Sequence, residues 1–198
     1  MAYRQFTLDT LKEKFAIKKQ NTKLFKNIKK IKPTDILVKS IQRADELPLT
    51  TEKSKSEFLI SPVLLELWSI NDKKFTFFSG EQLNADKSKG LNGECDFLLS
   101  KVPSYTYVQA PIFTVVEAKN DIIQDGYGQC GAQMLGARIF NEKHKKTTTK
   151  KIYGCVSNGE SWRFMLLENN DLHIDLGNYS INDLQELLGV LQYIVDVS

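Results

Sequence analysis

Glu117 and Lys119 flank Ala118 in the run Phe-Thr-Val-Val-Glu-Ala-Lys-Asn-Asp from Phe113 to Asp121. Its apolar, β-branched and aromatic start predicts a buried strand. Side chains in a strand alternate between faces, so Glu117 and Lys119 share one side and Ala118 takes the other. An acid and a base in an apolar strand are costly unless they pair or bind something. Asp96 opens a second apolar run, Cys-Asp-Phe-Leu-Leu from Cys95 to Leu99. Two carboxylates from neighbouring strands, Asp96 and Glu117, suit an oxygen-preferring ion such as Mg²⁺ or Mn²⁺, with the Ala118 carbonyl as a third ligand. Lys119 on the same face can orient or help deprotonate a water and steady developing charge. That is the chemistry of phosphodiester hydrolysis. The plainer alternative for each residue is structural: Lys119 neutralises Glu117, and Asp96 bonds a turn backbone.

The elements that must position these residues follow from periodicity. Thr50 to Ile70 is apolar around most of its circumference and predicts a buried helix, capped by Thr51 or Ser54 and kinked or restarted at Pro62. Glu57 opens it, and Glu66 falls on its opposite side, where a glutamate is ordinarily exposed. Lys74 to Ser79, Glu94 to Ser100 and Ile112 to Lys119 read as strands. Asp121 to Asn141 reads as a helix whose four glycines let backbone approach closely, with Gln129 and Gln133 on one face. Lys151 to Ser157 and Ser161 to Leu167 form a hairpin about Asn158-Gly159. Leu172 to Leu176 adds an edge strand, and Ser180 caps a C-terminal helix. The expected class is α/β, a mixed sheet flanked by helices.

Before this lies a helical, lysine-rich appendage, residues 1–48, with helices expected near Leu8 and after Thr34; residues 49–198 form the main domain. Residues 11–33 hold nine lysines and one acid, Glu13, so Lys23, Lys26, Lys29 and Lys30 are candidates for phosphate contact, as are Lys145 and Lys146 in a second basic stretch. The alternative is a solvated face or a connector. The net charge of +3 does not by itself argue for nucleic acid. Cys95, Cys130 and Cys155 show no disulfide or zinc spacing and read as reduced core thiols in a cytoplasmic protein. His144 and His173 are too far apart in sequence to suggest a zinc site. No apolar run approaches a membrane span, and no membrane partner is expected.

Asp96 followed about twenty residues later by Glu117-Ala118-Lys119 resembles the PD-(D/E)xK nuclease superfamily, the restriction-endonuclease-like fold, with an αβββαβ core. Glu57 matches the acid many members carry at the first core helix. Gln129 lies where several branches carry a glutamine after the lysine. The hairpin Ile152 to Phe164 is similar to the closing strands of the N-terminal nuclease domain of type I restriction subunits. The resemblance covers roughly residues 50 to 170, with Cys95 in place of the motif's proline. It implies a Mg²⁺-dependent endonuclease acting on DNA, with Glu57, Asp96, Glu117, Lys119 and Gln129 as catalytic residues. A double-strand cut by one such site per chain favours a homodimer, and dependence on a partner protein remains open. The alternative is a non-catalytic module that keeps the fold and binds nucleic acid or docks a partner.

Overall fold

The computed structural model describes residues 2–103, 106–145 and 151–198. Thr7 accepts the Thr10 amide and opens α1 (Leu8–Phe15), and β1 (Lys18–Thr22) follows. Thr34 caps α2 (Asp35–Ala44). Thr51 caps the short α3 (Glu52–Lys55), which passes through a π-helical turn at Ser56–Ile60 into α4 (Ser61–Ile70). The restart expected at Pro62 falls here, because proline at the start of α4 lacks only an amide that a first turn leaves free. Then come β2 (Thr76–Gln82), β3 (Glu94–Ser100), β4 (Ile112–Ala118) and α5 (Gly126–Lys143). The chain ends with β5 (Lys151–Ser157), β6 (Ser161–Glu168), β7 (Asp171–Asp175), the two-residue β8 (Tyr179–Ser180) and α6 (Leu184–Val197).

The strands form one eight-stranded mixed sheet in the order β1-β7-β6-β5-β4-β3-β2, with β8 paired to β6. The β1–β7 and β4–β5 pairs are parallel and the others antiparallel. The protein is α/β, with helices over both faces. Two expectations about individual elements need correction. The β7 strand is not an edge, because β1 pairs outside it. Ser180 caps a 3-10 turn, Ile181–Asp183, and it is Asp183 that caps α6 by accepting the Glu186 amide.

Two cores sandwich the sheet. One packs α2, α4 and α6 against Phe97, Phe113, Val116 and Trp162; the other packs α1 and α5 against Leu98, Val115, Val156 and Met165. The segment 2–48 is built into both rather than appended. Tyr3, Phe6, Leu11 and Ile17 are buried in the second core, and Phe25, Leu37 and Ile41 in the first. Gly128 shows why α5 needs glycine: a Cβ there would stand 2.4 Å from the Phe6 carbonyl oxygen. Cys95, Cys130 and Cys155 are free and buried. Among the described residues no helix is long and apolar enough to cross a membrane.

Candidate active site

The parallel pairing of β4 with β5 sets Ala118 beside Ser157, and the Lys119 amide extends the ladder by donating to the Ser157 carbonyl at 2.8 Å. That pairing fixes the backbone on both sides of Glu117. On the other flank, Asp96 Oδ2 of β3 accepts the Ala118 amide at 2.7 Å. Alternation along β4 turns Ala118 into the α4-side core and Glu117 toward α5. Lys119 Nζ donates to Glu117 Oε1 at 2.6 Å and to Gln129 Oε1 at 3.3 Å. Gln133 Nε2 donates to Glu117 Oε2 at 2.7 Å. The start of α5 sits close because Gly126 has no side chain: a Cβ would stand 2.6 Å from Val156 Cγ1 and 3.1 Å from Lys119 Cγ.

Burial, then the neighbouring Asp96 charge, pushes the Glu117 carboxyl up to about 7, against the pull of Lys119 and Gln133. Burial also raises Asp96, with the Ala118 amide and the Lys119 charge pulling it back. Burial opposes the Lys119 ammonium, but Glu117 outweighs it and the lysine is raised. The site therefore holds two carboxylates that disfavour joint ionisation beside one lysine that stays charged.

A cleft of about 420 Å³ opens beside this cluster, on the side of α3, and of the cluster's residues Asp96 and Ala118 line it. Its lining also includes Glu52 of α3, Glu57 of the π-helical turn, Ser79 and Gly80 of β2, and Glu94 of β3. Glu57 is 56% exposed and stands 3.9 Å from Lys53, so it faces the cleft from its rim. Lys55 is nearly buried, and its Nζ donates to the Asn120 carbonyl at 2.6 Å, tying α3 to the turn after Lys119.

Of the residues expected from sequence, the structure brings together Asp96, Glu117, Ala118, Lys119 and Gln129, with Glu57 at the rim. Sequence reasoning passed over Gln133, Glu52, Glu94 and Lys55 as members of the site. Two of these had signals. Glu94 lies two residues before Asp96 on the same strand, and Gln133 lies one helical turn beyond Gln129.

Among the described residues no three His, Cys, Asp or Glu side chains gather to hold a metal unaided. Asp96 and Glu117 have the oxygen donors a hard cation takes, but both Glu117 oxygens are bonded by Lys119 and Gln133, so an ion there would displace one of those donors. Both carboxyls are raised by burial, so positive charge beside them relieves a cost already present. The second Asp96 oxygen makes no hydrogen bond among the described residues. Water and phosphate oxygens would complete the coordination.

The candidate phosphate-contacting lysines divide. Because β1 runs parallel to β7, and β4 to β5, Lys23 and Lys26 follow β1 at the same end of the sheet as Lys119. Four strand spacings separate β1 from β4, about 19 Å. Asp175 pins this segment by accepting the Leu24 amide at 2.7 Å. Farther on, Lys30 pairs with Asp183 at 2.6 Å, and the Lys29 carbonyl abuts Gly189 of α6. Lys145 follows the far end of α5, a rise of about 27 Å from the helix start beside Lys119. Lys146 lies outside the described residues. The chain matches no protein-family model, no curated protein and no solved structure.

Proposed function

We propose that this chain is a metal-dependent endonuclease of the PD-(D/E)xK type that hydrolyses phosphodiester bonds in DNA. One observation carries the reading: Glu117 and Lys119 at the end of β4 pair with one another, and Asp96 of β3, which accepts the Ala118 amide between them, lines an open cleft. The run α3–α4, β2, β3, β4, α5, β5 supports it, since it follows the αβββαβ order of the restriction-endonuclease-like core. The three unpaired thiols suit a reducing, cytoplasmic setting, and a homodimer suits a double-strand cut.

In this reading Asp96, Glu117 and the Ala118 carbonyl hold Mg²⁺ or Mn²⁺. The ion supplies Lewis-acid activation of the scissile phosphate and a water of lowered pKa. Lys119 places its ammonium where charge builds on the phosphoryl oxygens and donates a hydrogen bond there. Gln129, already bonded to Lys119, orients that ammonium. Glu57 reaches the cleft from its rim and contacts an outer water.

One observation favours a second reading, a nucleic-acid-binding or partner-docking module that keeps the fold. Both Glu117 oxygens are already bonded by the chain's own donors, Lys119 and Gln133. The deciding experiment is calorimetric titration of Mn²⁺ into the wild type and Glu117→Ala, beside a supercoiled-plasmid cleavage assay. The nuclease reading expects Mn²⁺ binding and cleavage, both lost in Glu117→Ala and in Asp96→Ala. Cleavage that survives Glu117→Ala overturns it. Salt-dependent DNA binding without hydrolysis in any divalent metal selects the module.

A further inference from the structure

A second concavity, of about 420 Å³, lies between the last turn of α1 and the tight turn that joins β2 to β3. It is lined by Lys14, Phe15, Lys87, Ser88, Lys89 and Gly90. Lys143, the last residue of α5, donates to the Ala85 carbonyl at the base of the same turn at 2.5 Å. The concavity therefore lies at the far end of α5 from Lys119, about 27 Å along the helix. It is separate from the cleft and shares no residue with it.

The turn is held in shape by its own bonds. Asp86 accepts the Ser88 hydroxyl at 2.6 Å and the Lys89 amide at 3.3 Å. The Leu91 amide returns to the Asp86 carbonyl at 2.9 Å, and Gly90 takes φ 78, a conformation that suits glycine. Asp86 is the one carboxylate of the turn, and the Lys89 ammonium also approaches it at 3.5 Å. Lys14, Lys87 and Lys89 thus line one concavity with Lys143 behind it; among the described residues the turn adds one carboxylate, Asp86, engaged by Lys89, and Lys14 Nζ stands 5.7 Å over the Phe6 ring. Holding like charges together at a preformed surface favours a multiply charged anion. The half-buried Phe15 ring, 5.9 Å from Phe6, adds an aromatic wall. The volume falls in the range of about 300–1,000 Å³ typical of small-molecule sites and exceeds what a bare phosphate needs.

We propose that this concavity binds a nucleoside polyphosphate, with its phosphates on Lys14, Lys87 and Lys89 and its base against Phe15. Phosphates supply the charge that the lysines match, and a base supplies a π-face for the ring. The site is independent of the proposed nuclease activity.

The test is calorimetric titration of ATP and of inorganic pyrophosphate into the full chain, in EDTA and low salt, so that metal chemistry at the cleft plays no part. Saturable ATP binding is expected. The double variant Lys87→Glu/Lys89→Glu, whose side chains are exposed, loses at least tenfold in affinity for both ligands. Phe15→Leu loses about tenfold for ATP and nothing for pyrophosphate, and Phe15→Tyr, which keeps the ring and its packing on Phe6, restores ATP binding. Glu117→Ala binds ATP as the wild type does. Absence of saturable ATP binding, or ATP affinity unchanged by the double charge reversal in a variant that melts normally, overturns the proposal. A 5′-phosphorylated oligothymidylate that displaces ATP and binds more tightly also overturns it, since a strand end would then be the occupant.

Discussion

Gln133 Nε2 donates to Glu117 Oε2 at 2.7 Å, joining the middle of α5 to the end of β4 inside the protein. Both residues are out of solvent, with Gln133 fully buried and Glu117 2% exposed. A buried carboxylate that loses a donor keeps its desolvation cost and gains nothing in return, at about 2 kcal/mol for a bond to a charged group. Gln133→Met preserves volume and removes the bond. It is expected to lower unfolding free energy by about 2 kcal/mol at pH 8, read from urea titration with the slope unchanged. Gln133→Glu sets a second carboxylate against Glu117 and is expected to cost more. Methionine also removes Gln133 Oε1, which is buried without a hydrogen-bond partner among the described residues, so equal stability of the two proteins would show that this relief cancels the lost bond.

The Glu117 carboxyl, raised from its ordinary 4.5 to about 7 by burial and then by Asp96, makes stability depend on pH. The native state holds this proton more tightly than the unfolded chain does. Its contribution is therefore fully present below about 4.5 and is lost as pH rises to about 7, on the order of 3 kcal/mol in all. Asp96 is raised too and adds a change of the same sign. Glu117→Gln keeps the shape without the titration. Its melting temperature is expected to gain several degrees on the wild type between pH 5 and pH 8. Parallel melting profiles for the two proteins across that window would count against the raised pKa.

How far the sequence could be read depended on where the information lay. The β3 strand and the hairpin about Asn158-Gly159 were legible because apolar content and a two-residue turn are local signals. The β1 strand was not. Lys18 to Thr22 carries no apolar residue, and it is a strand because its backbone pairs with β7, helped by Gln20 on Asp171 and Thr22 on His173. The cluster of Asp96, Glu117 and Lys119 was legible because period-two alternation and strand adjacency are enough to bring them together. Gln133 was half legible. Its spacing from Gln129 put both on one face, but which of the two meets Glu117 depends on how α5 sits on the sheet. The glycines govern that contact, and only the folded protein shows what they touch.

Glu66 inverts the ordinary expectation for a helix glutamate. It is 7% exposed, and its two oxygens accept the Thr34 amide at 2.7 Å and the Thr34 hydroxyl at 2.8 Å. The acceptor is α4 and the donor is the cap of α2, so one carboxylate closes the N-terminus of a neighbouring helix, where negative charge is favoured. Glu66→Ala is expected to cost about 2 kcal/mol of unfolding free energy and Glu66→Gln less. Hydrogen exchange should show faster opening at Leu37 and Val38, whose amides lie in the first turns of α2. Unchanged exchange there in a destabilised Glu66→Ala would place the loss elsewhere than in the cap.

If DNA crosses the end of the sheet where the cleft opens, the lysines should not contribute alike. Lys23 and Lys26 follow β1 at that end, on a segment fixed by Asp175. Lys30 is already paired with Asp183, and Lys145 lies beyond the far end of α5. Each phosphate contact releases counterions, so removing one lowers the slope of log affinity against log salt by about 1. Lys23→Glu/Lys26→Glu is expected to lower that slope by about 2, measured by fluorescence anisotropy of a labelled duplex in Ca²⁺ to suppress cleavage. Lys145→Glu is expected to leave it unchanged. Because the cleft is lined by the carboxylates Glu52, Glu57, Glu94 and Asp96 against the one ammonium of Lys53, a polyanion approaching without a divalent cation meets a net negative surface, and the same duplex should bind more weakly in EDTA. A slope that falls with Lys145→Glu and not with the Lys23 and Lys26 pair would place the nucleic acid on the opposite end of the sheet, away from the carboxylate cluster, and would leave that cluster without a substrate.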